Sequence, residues 1–154
     1  MSGEVMIRPA RSGEEDDLSE LCLRSKALWG YDPAFLETVA PFLKVSTEAI
    51  ENGYASVAED EDGQLLGVCQ IDPEGHGGTL DLLFIAPEAV GKGVGRLLFD
   101  RAKDQLKAMG HTVMTLLSDP YAQTAYLHMG ARLVEMRASD VFKDRKLPWM
   151  EVDL

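Results

Sequence analysis

The chain has 154 residues, 45% of them hydrophobic, and carries 26 acidic against 15 basic side chains, a formal net charge of −11. One globular domain over residues 1–154 with a full core is expected, and nucleic acid is excluded as a partner, since neutralising phosphates needs the opposite charge excess. No apolar run approaches the roughly 20 residues needed to cross a bilayer, Met1 to Glu4 is not the basic start of a signal peptide, and Cys22 and Cys69 match no zinc or C-x-x-C spacing, so the expectation is a reduced, cytoplasmic protein with no membrane partner and no metal site.

Val5 to Arg8 reads as a first strand closed by Pro9. Ser12-Gly13-Glu14-Glu15 has the form of a capping box, with Glu15 reaching back to the cap. The helix it opens carries Leu18, Leu21, Cys22, Ser25 and Leu28 on one face and should stop near Gly30. An aromatic corner follows, Trp29-Gly30-Tyr31-Asp32-Pro33, and a second helix runs from Pro33 to Leu43, shortened or kinked at Pro41. Ser46 or Thr47 caps a short helical turn ending at Asn52-Gly53. Tyr54 to Glu59 and Leu65 to Asp72 form a hairpin about Glu61-Asp62-Gly63, and the longer, flexible connection Pro73 to Gly78 leads to a strand over Thr79 to Ala86.

That strand is an apolar run broken by one charge, Asp81. After Pro87 come three alternating glycines, Gly91, Gly93 and Gly95. A helix follows with Val94, Leu97, Leu98, Ala102, Leu106 and Met109 on its apolar face, and Gly110 stops it. Glycines at this spacing let the backbone approach a ligand closely and turn its amides towards it. The helix start adds unpaired N–H groups and partial positive charge, so an anion, most naturally a phosphate, is favoured there. Lys92 and Arg96 put mobile positive charge beside this cradle. Two other phosphate motifs are excluded: no Lys here is followed by Ser or Thr as a P-loop requires, and the third glycine of G-x-G-x-x-G would have to be Arg96.

Thr112 to Leu117 reads as a strand reached by a right-handed crossover and so parallel to its predecessor. Asp119 caps a further helix with Pro120 at its first position; its apolar face is Tyr121, Ala122, Ala125, Tyr126 and Met129, and Gly130 ends it. Arg132 to Ala138 and Pro148 to Leu154 are two closing antiparallel strands. The fold class is α/β (α+β): a single mixed, mostly antiparallel twisted sheet of about seven strands with helices on both faces.

This order of elements resembles the GNAT superfamily of acyl-coenzyme-A-dependent N-acyltransferases over nearly the whole chain. Two motifs carry the resemblance. The family pattern V-x-P-x-x-[QR]-G-x-G-[IV]-[GA] is matched by Ile85-Ala86-Pro87-Glu88-Ala89-Val90-Gly91-Lys92-Gly93-Val94-Gly95. The pattern N-x-x-A-x-x-F-Y-x-x-x-G-F is matched by Asp119 to Ala131, with Ala122 and Tyr126 at the shared positions. The chain departs from the family at Val90, where Arg or Gln is usual, at Asp119, where Asn is usual, and at Ala125 and Ala131, where aromatics are usual.

The resemblance implies transfer of an acetyl group from acetyl-coenzyme A (coenzyme A being the cofactor held) to a primary amine of a small molecule or peptide. It implies that the loop from Val90 through Gly91, Lys92, Gly93, Val94 and Gly95 to Arg96 holds the pyrophosphate. It also implies that the strand around Leu83, Phe84 and Ile85 pairs with the pantetheine arm, and that Asp119, Ala122 and Tyr126 are cofactor-binding as well. Tyr126 matches the family tyrosine that protonates the departing thiolate; a core tyrosine is the plain alternative. Asp81 aligns with a glutamate that some members use as base, and alternation puts it on a face with Leu83 and Ile85; a solvated residue at a strand start is the other reading. Trp29, Tyr31, Asp32 and Trp149 are the candidates for the acceptor wall. Dimers are common among similar proteins, so a homodimer is an expectation of the resemblance. A non-catalytic acyl-coenzyme-A-binding module on the same fold is the rival reading.

Overall fold

The computed structural model describes residues 4–74 and 77–154. Seven strands form one sheet: β1 (Met6–Pro9), β2 (Ala55–Glu59), β3 (Leu65–Asp72), β4 (Thr79–Ile85), β5 (Val113–Leu117), β6 (Arg132–Ala138) and β7 (Lys146–Asp153). Their spatial order is β1-β2-β3-β4-β5-β7-β6. All neighbours are antiparallel except β4 and β5, which are parallel. The mixed, mostly antiparallel sheet expected from the sequence is therefore the sheet observed. Among the described residues five α helices accompany it: α1 (Glu15–Ala27), α2 (Pro33–Val39), α3 (Thr47–Glu51), α4 (Val94–Ala108) and α5 (Gln123–His128). Gly75 and His76, in the connection before β4, lie outside the described residues.

Local chemistry accounts for most element ends. Asp32 caps α2 by accepting from the Phe35 amide, and Ser46 caps α3 by accepting from Ala49. Pro41 ends α2 early: the chain tightens into a 3-10 turn over Ala40–Leu43, because a proline lacks the amide that another helical turn would need. Ser12 does not cap α1. Glu14 takes the cap position without a side-chain cap bond. Instead the Glu14 and Glu15 carboxylates accept from the amides of Arg11 and Gly13, each at 2.6 Å. A bidentate bond from Arg8 fixes Glu14 in that role.

Helix α4 buries Val94, Leu98, Phe99, Ala102 and Leu106 against β2, β3 and β4. Each large apolar side chain sequestered this way contributes on the order of 1.5–3 kcal/mol. Leu97 and Met109, expected on this face, are instead exposed, and Phe99 takes the buried place between them. Gly67 of β3 sets how close α4 lies. A Cβ there would come within 2.9 Å of Leu98 Cδ1 and 3.1 Å of the Phe84 carbonyl oxygen. On α1 the buried residues are Leu18, Leu21, Cys22 and, against expectation, Lys26, while Leu28 is exposed.

Candidate active site

The site begins where the sheet stops being continuous. β4 and β5 share one register pair, Thr79 with Thr115, joined by a hydroxyl–hydroxyl bond of 2.9 Å and by the Thr115 amide donating to the Gly78 carbonyl. Beyond it the two strands part. The Ala86 amide bonds the Leu66 carbonyl on the β3 side, so by the alternation of an antiparallel ladder the amides of Leu83 and Ile85 turn to the other edge, the one β5 leaves. The gap widens into a cavity of about 630 Å³.

At one end lies the glycine turn. Gly91 and Gly93 have φ of 84° and 78°, and Gly93 is the residue from which α4 springs. A side chain at either position would be strained in this left-handed region. The turn leaves the amides of Gly91, Gly93, Val94, Gly95 and Arg96 without a backbone acceptor. Five unsatisfied N–H groups at the start of a fifteen-residue helix are a site for an anion. Val90 is exposed at the rim and adds no polar group. Lys92 is exposed and outside the cavity wall, and Arg96 is turned to Asp100 at 3.4 Å. What the turn gives to the cavity wall is thus backbone, with Lys92 exposed between Gly91 and Gly93.

Asp81 sits at a bulge. Gln70 pairs with Leu82 and Ile71 with Leu80, which leaves Asp81 as the extra residue of β4. The bulge breaks the alternation, so Asp81 does not share a face with Leu83 and Ile85 as expected. Its carboxylate accepts from the Gln70 side-chain amide at 2.9 Å, and Gln70 in turn accepts from the Ser46 amide. Desolvation raises the Asp81 pKa above the ordinary value, the Gln70 bond opposes that, and the Asp72 charge adds to it. The residue as a whole remains exposed, so water still reaches the carboxylate. Asp81 lines the main cavity and also a second one of about 320 Å³ bordered by Glu48, Asp72 and Glu74.

Tyr126 projects from α5 into the same main cavity, half-buried, with its ring 5.9 Å from that of Phe99. Burial, and then the charge of Asp119, pushes its phenol well above the usual tyrosine range. The group therefore stays protonated and able to donate. Leu83, Phe84, Ile85, Val90, Gly91, Gly93, Val94, Gly95, Asp119, Ala122 and Trp29 line this cavity as well.

Three candidates for the acceptor wall lie elsewhere. Asp32 is occupied as the α2 cap. Trp149 is buried in β7, with the Arg137 guanidinium 3.9 Å from its ring centroid. It shares a strand face with Leu147, which lines the cavity, but is not itself part of the cavity wall. Tyr31 stands behind the wall, stacked on Phe35 at 4.0 Å and donating to Asp119 at 2.9 Å.

Two residues absent from the expectations complete this end. Lys26, 8% exposed, places its ammonium 2.5 Å from Asp119 Oδ2. Arg145, from the β6–β7 loop, bonds the Tyr31 hydroxyl and approaches Asp119 at 3.4 Å. Burial pushes the Asp119 carboxyl up, but the Lys26 bond, the Tyr121 amide and the Lys26 charge outweigh it, so its pKa lies below the ordinary value. Lys26 could have been found in the sequence, because it falls four residues after Cys22 on the buried stripe of α1. Arg145 leaves no such signal.

The described residues contain no group of three His, Cys, Asp or Glu side chains able to hold a metal. Among them no helix is long and apolar enough to cross a membrane.

Comparison with known proteins agrees with this geometry. An N-acetyltransferase from Thermoplasma acidophilum, solved with coenzyme A, superposes with a TM-score of 0.80 at 18% identity, over 98% of this chain and 99% of that one. A GNAT-family acetyltransferase from Staphylococcus aureus gives 0.74 at 16% identity, over 98% and 99%. Nourseothricin acetyltransferase gives 0.59 at 26% identity, over 64% of each chain. No curated protein sequence matches. The family model described as the acetyltransferase (GNAT) domain matches residues 22–141. That span takes in Cys22 and Lys26 of α1, the splayed strands, the glycine turn and Tyr126, and the chain belongs to the GNAT acetyltransferase family.

Proposed function

We propose that this protein moves an acetyl group from acetyl-coenzyme A to the primary amine of a small molecule or peptide. The observation that carries the reading is the single-pair junction of β4 and β5, which opens a groove from a ring of free amides at one end to Tyr126 and Asp81 further in. Two relatives of like fold support coenzyme A as the carrier: the Thermoplasma enzyme and a Neisseria gonorrhoeae N-acetylglutamate synthase, both solved with it.

The amides of Gly91 and Gly93 to Arg96 suit a pyrophosphate, since they offer fixed donors and the positive end of a helix without desolvating a cation. The edge amides of Leu83 and Ile85 suit an extended, amide-bearing arm. When bound, the thioester supplies an activated acyl carbon and a thiolate leaving group. A strand amide near Ile85 that the arm leaves free is the donor for the acyl oxygen as charge develops there. Asp81 takes the proton of the acceptor ammonium, directly or through water, because only the neutral amine has the lone pair to attack. Tyr126 gives its phenolic proton to the departing sulfur as the carbon–sulfur bond breaks, and the second proton shed by the nitrogen as the amide forms returns through water to restore the phenol. Trp29, at the rim, offers an aromatic face to the acceptor.

Thermal unfolding with acetyl-coenzyme A, ATP and NAD tests the binding half. Ligand at a hundred times its Kd adds about 2.7 kcal/mol of stability. A selective upward shift with acetyl-coenzyme A is expected, and equal or absent shifts would overturn the assignment. Coenzyme A release across a panel of amines tests the transfer half and separates an enzyme from a module that binds without reacting.

A further inference from the structure

Lys26 has no place in the reaction just described, yet it is more than nine-tenths buried and lies in the wall of the reacting cavity. A lysine rarely accepts such burial unless its charge is matched. Its match is Asp119, at the position where the family pattern has a neutral side chain, and Asp119 shares the wall with Tyr126. The two unusual residues meet at 2.5 Å across 93 positions of sequence. A carboxylate introduced alone beside the phenol would hold its proton more tightly and weaken it as an acid. The lysine is the nearest compensation, and Arg145 and Tyr31 complete the shell around the same oxygen.

We propose that Lys26 is a positioning residue for the transfer reaction: held on Asp119, its ammonium fixes that carboxylate and offsets part of its charge, so the Tyr126 phenol on the same cavity wall meets a weaker negative field than an unpaired carboxylate would exert. This inference rests on the reading of Tyr126 as the acid. It accounts for the departure at Asp119 as one half of a pair whose other half lies on α1. The pair also ties α1 to the end of β5, and through Arg145 to the β6–β7 loop, so the same contacts that set the charge also set the spacing of the groove walls.

The test compares Lys26→Met, Lys26→Arg, Asp119→Asn and the double variant Lys26→Met/Asp119→Asn with wild type and Tyr126→Phe. All are assayed with acetyl-coenzyme A varied up to saturation and well below each variant's Tm. Lys26→Met is expected to lose about tenfold or more in kcat, with KM for acetyl-coenzyme A changed by about twofold or less, since the lost interaction acts on the transition state and not on cofactor binding. Lys26→Arg should keep most of the rate. The double variant should recover to within about threefold of Asp119→Asn, because removing the carboxylate removes the need for the lysine. A Lys26→Met protein with a lowered Tm and an unchanged kcat would overturn the inference, as would a double variant no faster than Lys26→Met alone. If wild type is active and Tyr126→Phe is impaired while Lys26→Met is not, this inference fails and the acid assignment stands. If Tyr126→Phe matches wild type, the assignment fails and this inference with it.

Discussion

The two ends of the groove do the same kind of work by different means. At the glycine end every group on offer is backbone, presented by eleven consecutive residues from Ile85 to Gly95 and by the first turn of one helix. At the acceptor end the groups are mainly side chains, and those that meet at Asp119 come from α1, the corner after it and the β6–β7 loop. A backbone cradle depends on φ values and tolerates side-chain drift, which is why Val90 can stand where a polar residue is usual. A side-chain cluster depends on matched identities, and a change at one member needs an answer at another. The comparison teaches where this chain had freedom to vary, and at what distance the compensation lies.

Substitutions at the two ends should therefore fail differently. The largest effect is expected at the side-chain end, where Tyr126→Phe removes a proton donor and little volume. A fall of about a hundredfold in kcat is expected, at the low end of what general acids contribute, with the acetyl-coenzyme A KM nearly unchanged; steady-state kinetics on both substrates reads this directly. Next is Asp81→Asn. Because folding raises the Asp81 pKa, the rate should climb with pH through a value above the ordinary carboxylate range, and the variant should lose that acidic limb. The same sign means that ionised Asp81 opposes folding above its raised pKa, so Asp81→Asn should unfold no earlier than wild type at neutral pH. A lower Tm would assign the lost rate to misfolding and remove Asp81 as the base.

At the backbone end, Gly93→Val forces a β-branched residue to a φ of 78°. The strain is about 1–2 kcal/mol, and relaxing it would rotate the amides out of alignment. Isothermal titration should show acetyl-coenzyme A binding weakened by about tenfold, while kcat at saturation is largely kept. The smallest effect, and of opposite sign, is expected for Val90→Arg. It adds a cation at an exposed rim position, where a charge near a phosphate contributes up to about 1 kcal/mol, so affinity should rise by a few-fold and decline with added salt.

The same contrast explains what could be read from the amino-acid order. The glycine turn, the Pro41 break, the Ser46 cap and the strand sequence are local, each decided by a residue and its near neighbours. The Asp81 bulge was not legible, because it appears only in the register between Gln70–Ile71 and Leu80–Leu82. Trp149 looked available because its ring partner, the Arg137 guanidinium, comes from the neighbouring strand. Phe99 and Leu97 exchanged burial because an apolar stripe one residue wider than needed leaves the helix rotation open. Arg145 could not be found at all: its partners lie 26 and 114 positions away.

The junction at Thr79 and Thr115 has a mechanical meaning as well. A sheet stitched at one register pair is two plates, β1 to β4 on one side and β5, β7 and β6 on the other. Helices α1 and α4 pack on the first plate and α5 on the second. The first plate is a run of neighbouring strands with short connections, except for β1, so its contacts form cheaply. The second is closed by the β6–β7 pairing and reaches the first through few bonds. Such plates are natural units of partial opening, and amide protons should exchange in two sets, with the boundary along the groove. A ligand lying in that groove touches both plates, so its binding energy is also the energy that keeps the seam shut.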